Sequence, residues 1–103
     1  MLHDVQYYIL STIIEKPDSA YGQGFSNEIS LILNRDVERR QIMQTITRMV
    51  RDKLITPDPI VRYQTRGGPR KHYNVTEKGV SILLAQDKLR KKATTRELPN
   101  QNL

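Results

Sequence analysis

Apolar residues recur at helical spacing in four segments of this chain, and two short stretches between the third and fourth read as extended. Val5, Tyr8, Ile9, Thr12 and Ile13 stand three and four residues apart, while Tyr7, Leu10 and Ile14 line a second side of the same segment. A first helix with two faces to cover is therefore predicted. Lys16-Pro17-Asp18-Ser19 closes it, because proline disfavours the α region in the residue before it and Asp or Ser can cap the next helix. The second helix runs to about Leu33 on a core stripe of Phe25, Ile29, Ile32 and Leu33, with Tyr21 and Gly22 at its start.

A third helix, Arg40 to Lys53, comes after a polar link. Ile42, Ile46, Met49 and Val50 form its apolar stripe, opposite a face of Gln41, Gln44, Thr45, Arg48 and Arg51. Leu54 and Ile55 begin a short strand that Pro57 and Pro59 stop, since neither proline can donate to a sheet. Ile60 to Thr65 and His72 to Val75 are predicted to be the arms of a hairpin whose turn carries Arg66, Gly67, Gly68, Pro69, Arg70 and Lys71. Thr76 is placed to cap a last helix, about residues 77–92, with Val80, Leu83 and Leu84 on one side and Ile82 and Leu89 on another. Beyond Ala93 the composition turns to Thr, Arg, Pro, Asn and Gln, so residues 93–103 are expected to be a disordered tail on one domain spanning 1–92.

The predicted fold class is α+β and mainly α: a winged helix-turn-helix with a two-stranded β-wing and a C-terminal helix. A chain of 103 residues cannot cover the surplus apolar sides of its first and last helices. A homodimer is expected, with Tyr7, Leu10, Ile14, Ile82 and Leu89 at its interface.

Charge sharpens this picture through its distribution. The chain carries a formal net charge of +6, yet residues 1–34 hold one Lys against four acids while residues 35–103 hold sixteen Lys and Arg against seven acids. The basic part contains the third helix and the hairpin, so double-stranded DNA is the expected partner. On the third helix Arg39, Arg40, Gln41, Gln44, Thr45 and Arg48 are the candidate base and phosphate contacts. Gln pairs bidentately with adenine and Arg with guanine, each good pair contributing about 1 to 3 kcal/mol of discrimination. On the wing, Arg66, Arg70 and Lys71 suit phosphates or a minor groove, and Gly67 and Gly68 allow close backbone approach.

Tyr21-Gly22, then Gln41-Ile42-Met43-Gln44-Thr45-Ile46-Thr47-Arg48-Met49 with Lys53-Leu54-Ile55, then Arg66-Gly67-Gly68-Pro69-Arg70-Lys71-His72-Tyr73 and Val75-Thr76-Glu77-Lys78-Gly79 together resemble the PadR-like transcriptional regulators. The resemblance spans residues 5–92, and its most specific part runs from Gly67 to Gly79. It departs from the family pattern at Met43, at Gln44 and at Lys53, where a glycine usually ends the helix. The resemblance implies a repressor on a palindromic operator, with Gln41, Gln44, Thr45 and Arg48 in the recognition helix, Arg66, Arg70 and Lys71 in the wing, and Tyr73 packing the wing strand onto the core. The length fits the short form with a single C-terminal dimerisation helix.

Other chemistry finds little support. There is no Cys and only two His, so no metal site and no cofactor are expected, and no serine or acid stands in a catalytic spacing. The chain is not expected to be an enzyme. No apolar run reaches the ~20 residues of a membrane span, and a cytoplasmic, nucleoid-associated protein is expected. Tyr7, Tyr8 and Tyr21 are compatible with a small-molecule effector but do not assign one, and His72 is expected to be exposed. Two other readings stay open: a plasmid or phage partition or architectural DNA-binding protein, and a winged-helix adaptor between proteins.

Overall fold

The computed structural model describes residues 2–63 and 69–97, and their side chains except those of residues 63 and 90–97. Helix α1, Asp4–Glu15, is followed by a 3-10 turn, Pro17–Ser19, then α2, Gly22–Leu33, and α3, Arg39–Arg51. Four short strands come next, β1 Ile55–Pro57, β2 Arg62–Tyr63, β3 Pro69–Arg70 and β4 Tyr73–Val75, and α4, Glu77–Glu97, is the last element. The last helix thus continues five residues past the point where a disordered tail was expected.

Boundaries are set by local chemistry. Gln6 accepts the His3 backbone N–H at the start of α1 at 3.3 Å, and Lys16, held out of the α region ahead of Pro17, ends it. The cap expected from Asp18 or Ser19 on the second helix is not what forms. Those residues make the 3-10 turn, and α2 starts after Tyr21 with no side-chain cap. At its other end Asn34 adopts the left-handed conformation, φ 52°, which Asn tolerates better than most residues. The link to α3 is pinned at Val37, whose carbonyl accepts from Ser26 Oγ at 2.6 Å and whose N–H donates to Ser30 Oγ at 2.9 Å.

Lys53 also sits in the left-handed region, at φ 62°. An L residue there is strained by about 1–2 kcal/mol, whereas glycine loses only ~0.5–1 kcal/mol of chain entropy. Lys53→Gly is therefore expected to stabilise the domain by up to about 1 kcal/mol and to raise the thermal midpoint by roughly 4–8 °C. A melt followed by circular dichroism that shows no rise contradicts this.

Thr76 caps α4 as expected: its Oγ1 accepts the Gly79 N–H at 3.1 Å while donating to the Lys53 carbonyl at 2.6 Å. Gly79 is required here, because a Cβ on it would lie 2.2 Å from the Leu54 carbonyl oxygen. The helix start is thereby pressed against the corner between α3 and β1.

The strands pair differently from the simple hairpin expected. β4 pairs antiparallel with β1, setting Ile55 opposite Val75 and Pro57 opposite Tyr73, and β2 pairs with β3, setting Arg62 opposite Arg70. The arm residues Tyr73 to Val75 therefore belong to the inner sheet, and among the described residues the wing ladder shows two pairs. An isolated bridge between Tyr21 and His72 and a bond from the Tyr73 N–H to the Ala20 carbonyl at 3.0 Å join the wing base to the segment before α2.

The core gathers Val5, Ile9, Leu10 and Ile13 from α1, Phe25 and Ile29 from α2, Ile42, Ile46 and Met49 from α3, with Val37, Leu54, Ile55, Tyr73 and Leu83. Leu10, expected at a dimer interface, is wholly buried in this core of one chain. Ile32, expected in the core, is 49% exposed, and on α4 Leu84 faces solvent while Gln86 is buried.

Candidate nucleic-acid interface

Helix α3 presents Arg39, Arg40, Gln41, Gln44, Thr47 and Arg48 to solvent. Thr45 differs from the expectation. At ~100° per residue it falls beside Ile42 and Met49, and it is buried, with its hydroxyl donating to the Gln41 carbonyl at 2.9 Å. Thr47, not singled out by the sequence, takes the outward place. Arg39, Arg40 and Arg48 form no ion pair with any described acid, in contrast to Arg51, which reaches Asp52 at 3.2 Å. Unpaired cations of this kind keep their full charge for a polyanion.

The N-terminal end of α3 meets α2 and the wing in a cleft of about 420 Å³ lined by Tyr21, Gly22, Gln23, Arg39, Met43, Pro69, Arg70, Lys71 and Tyr73. Three cations converge there from two distant parts of the chain. Arg70 Cζ lies over the Tyr21 ring, 4.1 Å from its centroid, and Lys71 Nζ stands 5.9 Å from the centroid of the Tyr73 ring. These contacts hold both cations at the wing base, each being worth about 0.5–1 kcal/mol at exposed sites. Gly22 leaves room for Arg39, since a Cβ on it would stand 3.1 Å from both Arg39 Nε and Met43 Sδ.

The uncapped start of α2 opens onto the same cleft. Its first N–H groups have no intrahelical partner and carry the positive end of the helix dipole. Gly24 seats this helix start: a Cβ there would be 2.2 Å from the Ser19 carbonyl oxygen.

The wing base is tethered on its other side. Arg62 Nη1 pairs with Asp18 Oδ1 at 3.1 Å, linking β2 to the 3-10 turn. His72 is 3% exposed, contrary to the expectation of a solvent-facing histidine, with Nε2 3.4 Å from the Asp18 carbonyl oxygen and its ring tilted against Tyr21. The Tyr21–His72 bridge draws it inward. Tyr73 does pack β4 onto the core at 5% exposure, and burial pushes its phenol above the ordinary value of 10.0.

The arrangement brings together the α3 candidates Arg39, Arg40, Gln41, Gln44 and Arg48 with the wing candidates Arg70 and Lys71. Arg66, Gly67 and Gly68 lie outside the described residues. Tyr21, Gln23 and Met43 were not singled out as site residues, although Tyr21 directly ahead of a glycine at an uncapped helix start was the available signal.

No family model and no curated protein matches the chain. Solved structures do. A PadR-like transcription factor from Bacteroides fragilis is similar at a TM-score of 0.70 with 24% identity, over 89% of this chain and 84% of that one. A PadR-like transcriptional regulator from Bacillus cereus is similar at 0.67 with 24% identity, over 93% of this chain and 91% of that one. A transcriptional regulator from Clostridium thermocellum is similar at 0.60 with 20% identity, over 94% and 87%. The chain shares its winged-helix fold with these proteins, two of them PadR-like. No described helix is long and apolar enough to cross a membrane.

Proposed function

We propose that this chain is a sequence-specific, double-stranded DNA-binding transcriptional regulator that acts in the cytoplasm at the nucleoid, as a homodimeric repressor on a palindromic operator. The observation that carries this reading is the continuity of one surface: the unpaired outward face of α3, with Gln44 and Arg48, runs directly into the cleft that holds Arg39, Arg70 and Lys71. Polar side chains able to read base edges adjoin cations able to grip phosphates, the division of labour that groove recognition requires. The solved structures of the same fold are transcriptional regulators by their own descriptions, which supports the reading.

In this reading α3 enters the major groove. Gln41, Gln44 and Arg48 meet bases there, Arg40 and Thr47 flank the phosphates, and Arg39, Arg70 and Lys71 clamp the neighbouring backbone. Thr45 serves the core side of α3 instead. The dimer surface is drawn from Ile14 and Leu89, exposed by 49% and 55%, with Ile82 half-buried; Tyr7, whose hydroxyl bonds to Asp87 of the same chain, is left out of it.

Selection from a random double-stranded DNA pool tests the reading. A two-fold symmetric motif with half-sites about 34 Å apart is expected. Gln44→Ala and Arg48→Ala should then relax preference at one or two base pairs by about 1–3 kcal/mol each while leaving affinity for unrelated DNA within about twofold. A pool that yields no motif, or equal loss on all sequences for both variants, overturns it.

A further inference from the structure

Helix α4 is fastened to the body at two places. At its start Thr76 bonds to the Lys53 and Leu54 carbonyls, and Lys78 Nζ reaches the Asp52 carbonyl at 3.0 Å. The second fastening lies some two turns further on and is made by Gln86. Its Oε1 accepts the Leu2 N–H at 3.0 Å and its Nε2 donates to the Leu2 carbonyl at 3.4 Å, both buried. Beside it Asp87 accepts the Tyr7 hydroxyl. Past this point Lys88 and Leu89 are exposed, and the helix runs on to Glu97.

A glutamine only 6% exposed is an odd choice for mere adhesion. An apolar side chain would pack at the same position but would leave the Leu2 N–H and carbonyl without these partners. The paired bonds to the N–H and the carbonyl of one residue, Leu2, add direction: they fix both the rotation of α4 about its axis and the angle at which it leaves the body.

We propose that Gln86, backed by the Tyr7–Asp87 bond, is a positioning residue that sets the distance between the two DNA-reading surfaces, and hence the operator spacing the protein accepts. This rests on the dimeric DNA-binding reading above. With half-sites ~34 Å apart, each reading helix stands ~17 Å from the two-fold axis. A change of ~10° in the exit angle of α4 displaces it by ~3 Å, close to one ~3.4 Å base-pair step.

The test uses a DNA library in which the selected half-sites are separated by spacers of varied length, presented to the full chain. Gln86→Met keeps length and apolar bulk but removes both bonds, and Tyr7→Phe removes only the hydroxyl bonded to Asp87. Both variants are expected to remain dimeric and to bind an isolated half-site within about twofold of the parent. Discrimination against spacers one base pair too long or too short should fall from about tenfold or more to about twofold in Gln86→Met, with a smaller loss in Tyr7→Phe. A merely structural role would lower all affinities together. Unchanged spacer profiles beside a parent protein that does select paired half-sites overturn this proposal alone. If Gln86→Met fails to fold, the Tyr7→Phe profile decides. A parent that selects no paired half-sites removes the dimeric reading and this inference with it.

Discussion

Ile14→Glu combined with Leu89→Glu is expected to leave the domain folded, to convert the dimer to monomers, and to weaken binding to a palindromic site by about 10²–10⁴-fold, the avidity that linked modules provide. Neither residue belongs to the core: Ile14 is 49% exposed on α1 and Leu89 55% exposed on α4, so polar replacements should change fold stability by no more than about ±0.5 kcal/mol. In the proposed dimer each would be covered, contributing about 1.5–3 kcal/mol when fully buried. Four carboxylates brought into the interface would also repel across the two-fold axis. Sedimentation velocity reads the oligomeric state, circular dichroism the fold, and a mobility shift the loss on DNA. A double variant that stays dimeric, or keeps its affinity for the palindrome, moves the interface elsewhere. Leu10→Glu gives the contrast, because Leu10 is wholly buried and its replacement should unfold the chain outright.

That contrast marks where the sequence is legible and where it is not. Periodicity located the four α-helices of the described residues, because 3.6-residue repeats such as Ile42, Ile46 and Met49 need no knowledge of their neighbours. It could not decide which of two apolar sides a helix turns inward. Leu10 and Ile14 lie on one predicted side of α1, yet the first is core and the second surface. On α4 the buried register includes Leu83 and the amide of Gln86, which reads as polar surface until its bonds to Leu2 are seen. Strand pairing was legible only as a hairpin. The partner of β4 is β1, separated by the whole wing, and short non-local ladders leave little trace in local pattern. At the candidate site, residue types and spacing picked out Arg39, Gln41, Gln44 and Arg48, all exposed on α3, and Arg70 and Lys71 at the wing base. Thr45 failed because it sits at the edge of the polar arc, where a few tens of degrees separate groove from core. Tyr21 and His72 escaped because their roles come from a bridge between distant segments.

Removing the cleft cations together, as Arg39→Ala, Arg70→Ala and Lys71→Ala in one chain, is expected to weaken binding to every DNA sequence by about 10²–10³-fold at moderate salt and to leave base preference intact. The diagnostic quantity is the salt dependence. Each lost phosphate contact should make the slope of log K against log salt less negative by about 0.9, so the triple variant should lose about 2.7 from the parent slope. The three cations come from α3 and the wing but face one cleft of about 420 Å³, and no described acid pairs with any of them. Among the described residues they therefore hold no acidic partner that could mask their removal, and folding should survive it. Single variants refine the geometry. Arg70 is held over Tyr21, so Tyr21→Ala should release it and reproduce part of the Arg70→Ala loss, while Tyr21→Phe keeps the ring and should not. A triple variant that keeps the parent slope while losing affinity would place the phosphates elsewhere, on Arg40 and the outer face of α3. A slope change of one unit instead of nearly three would mean that the cleft takes a single phosphate and that the other two cations act only as its electrostatic surroundings.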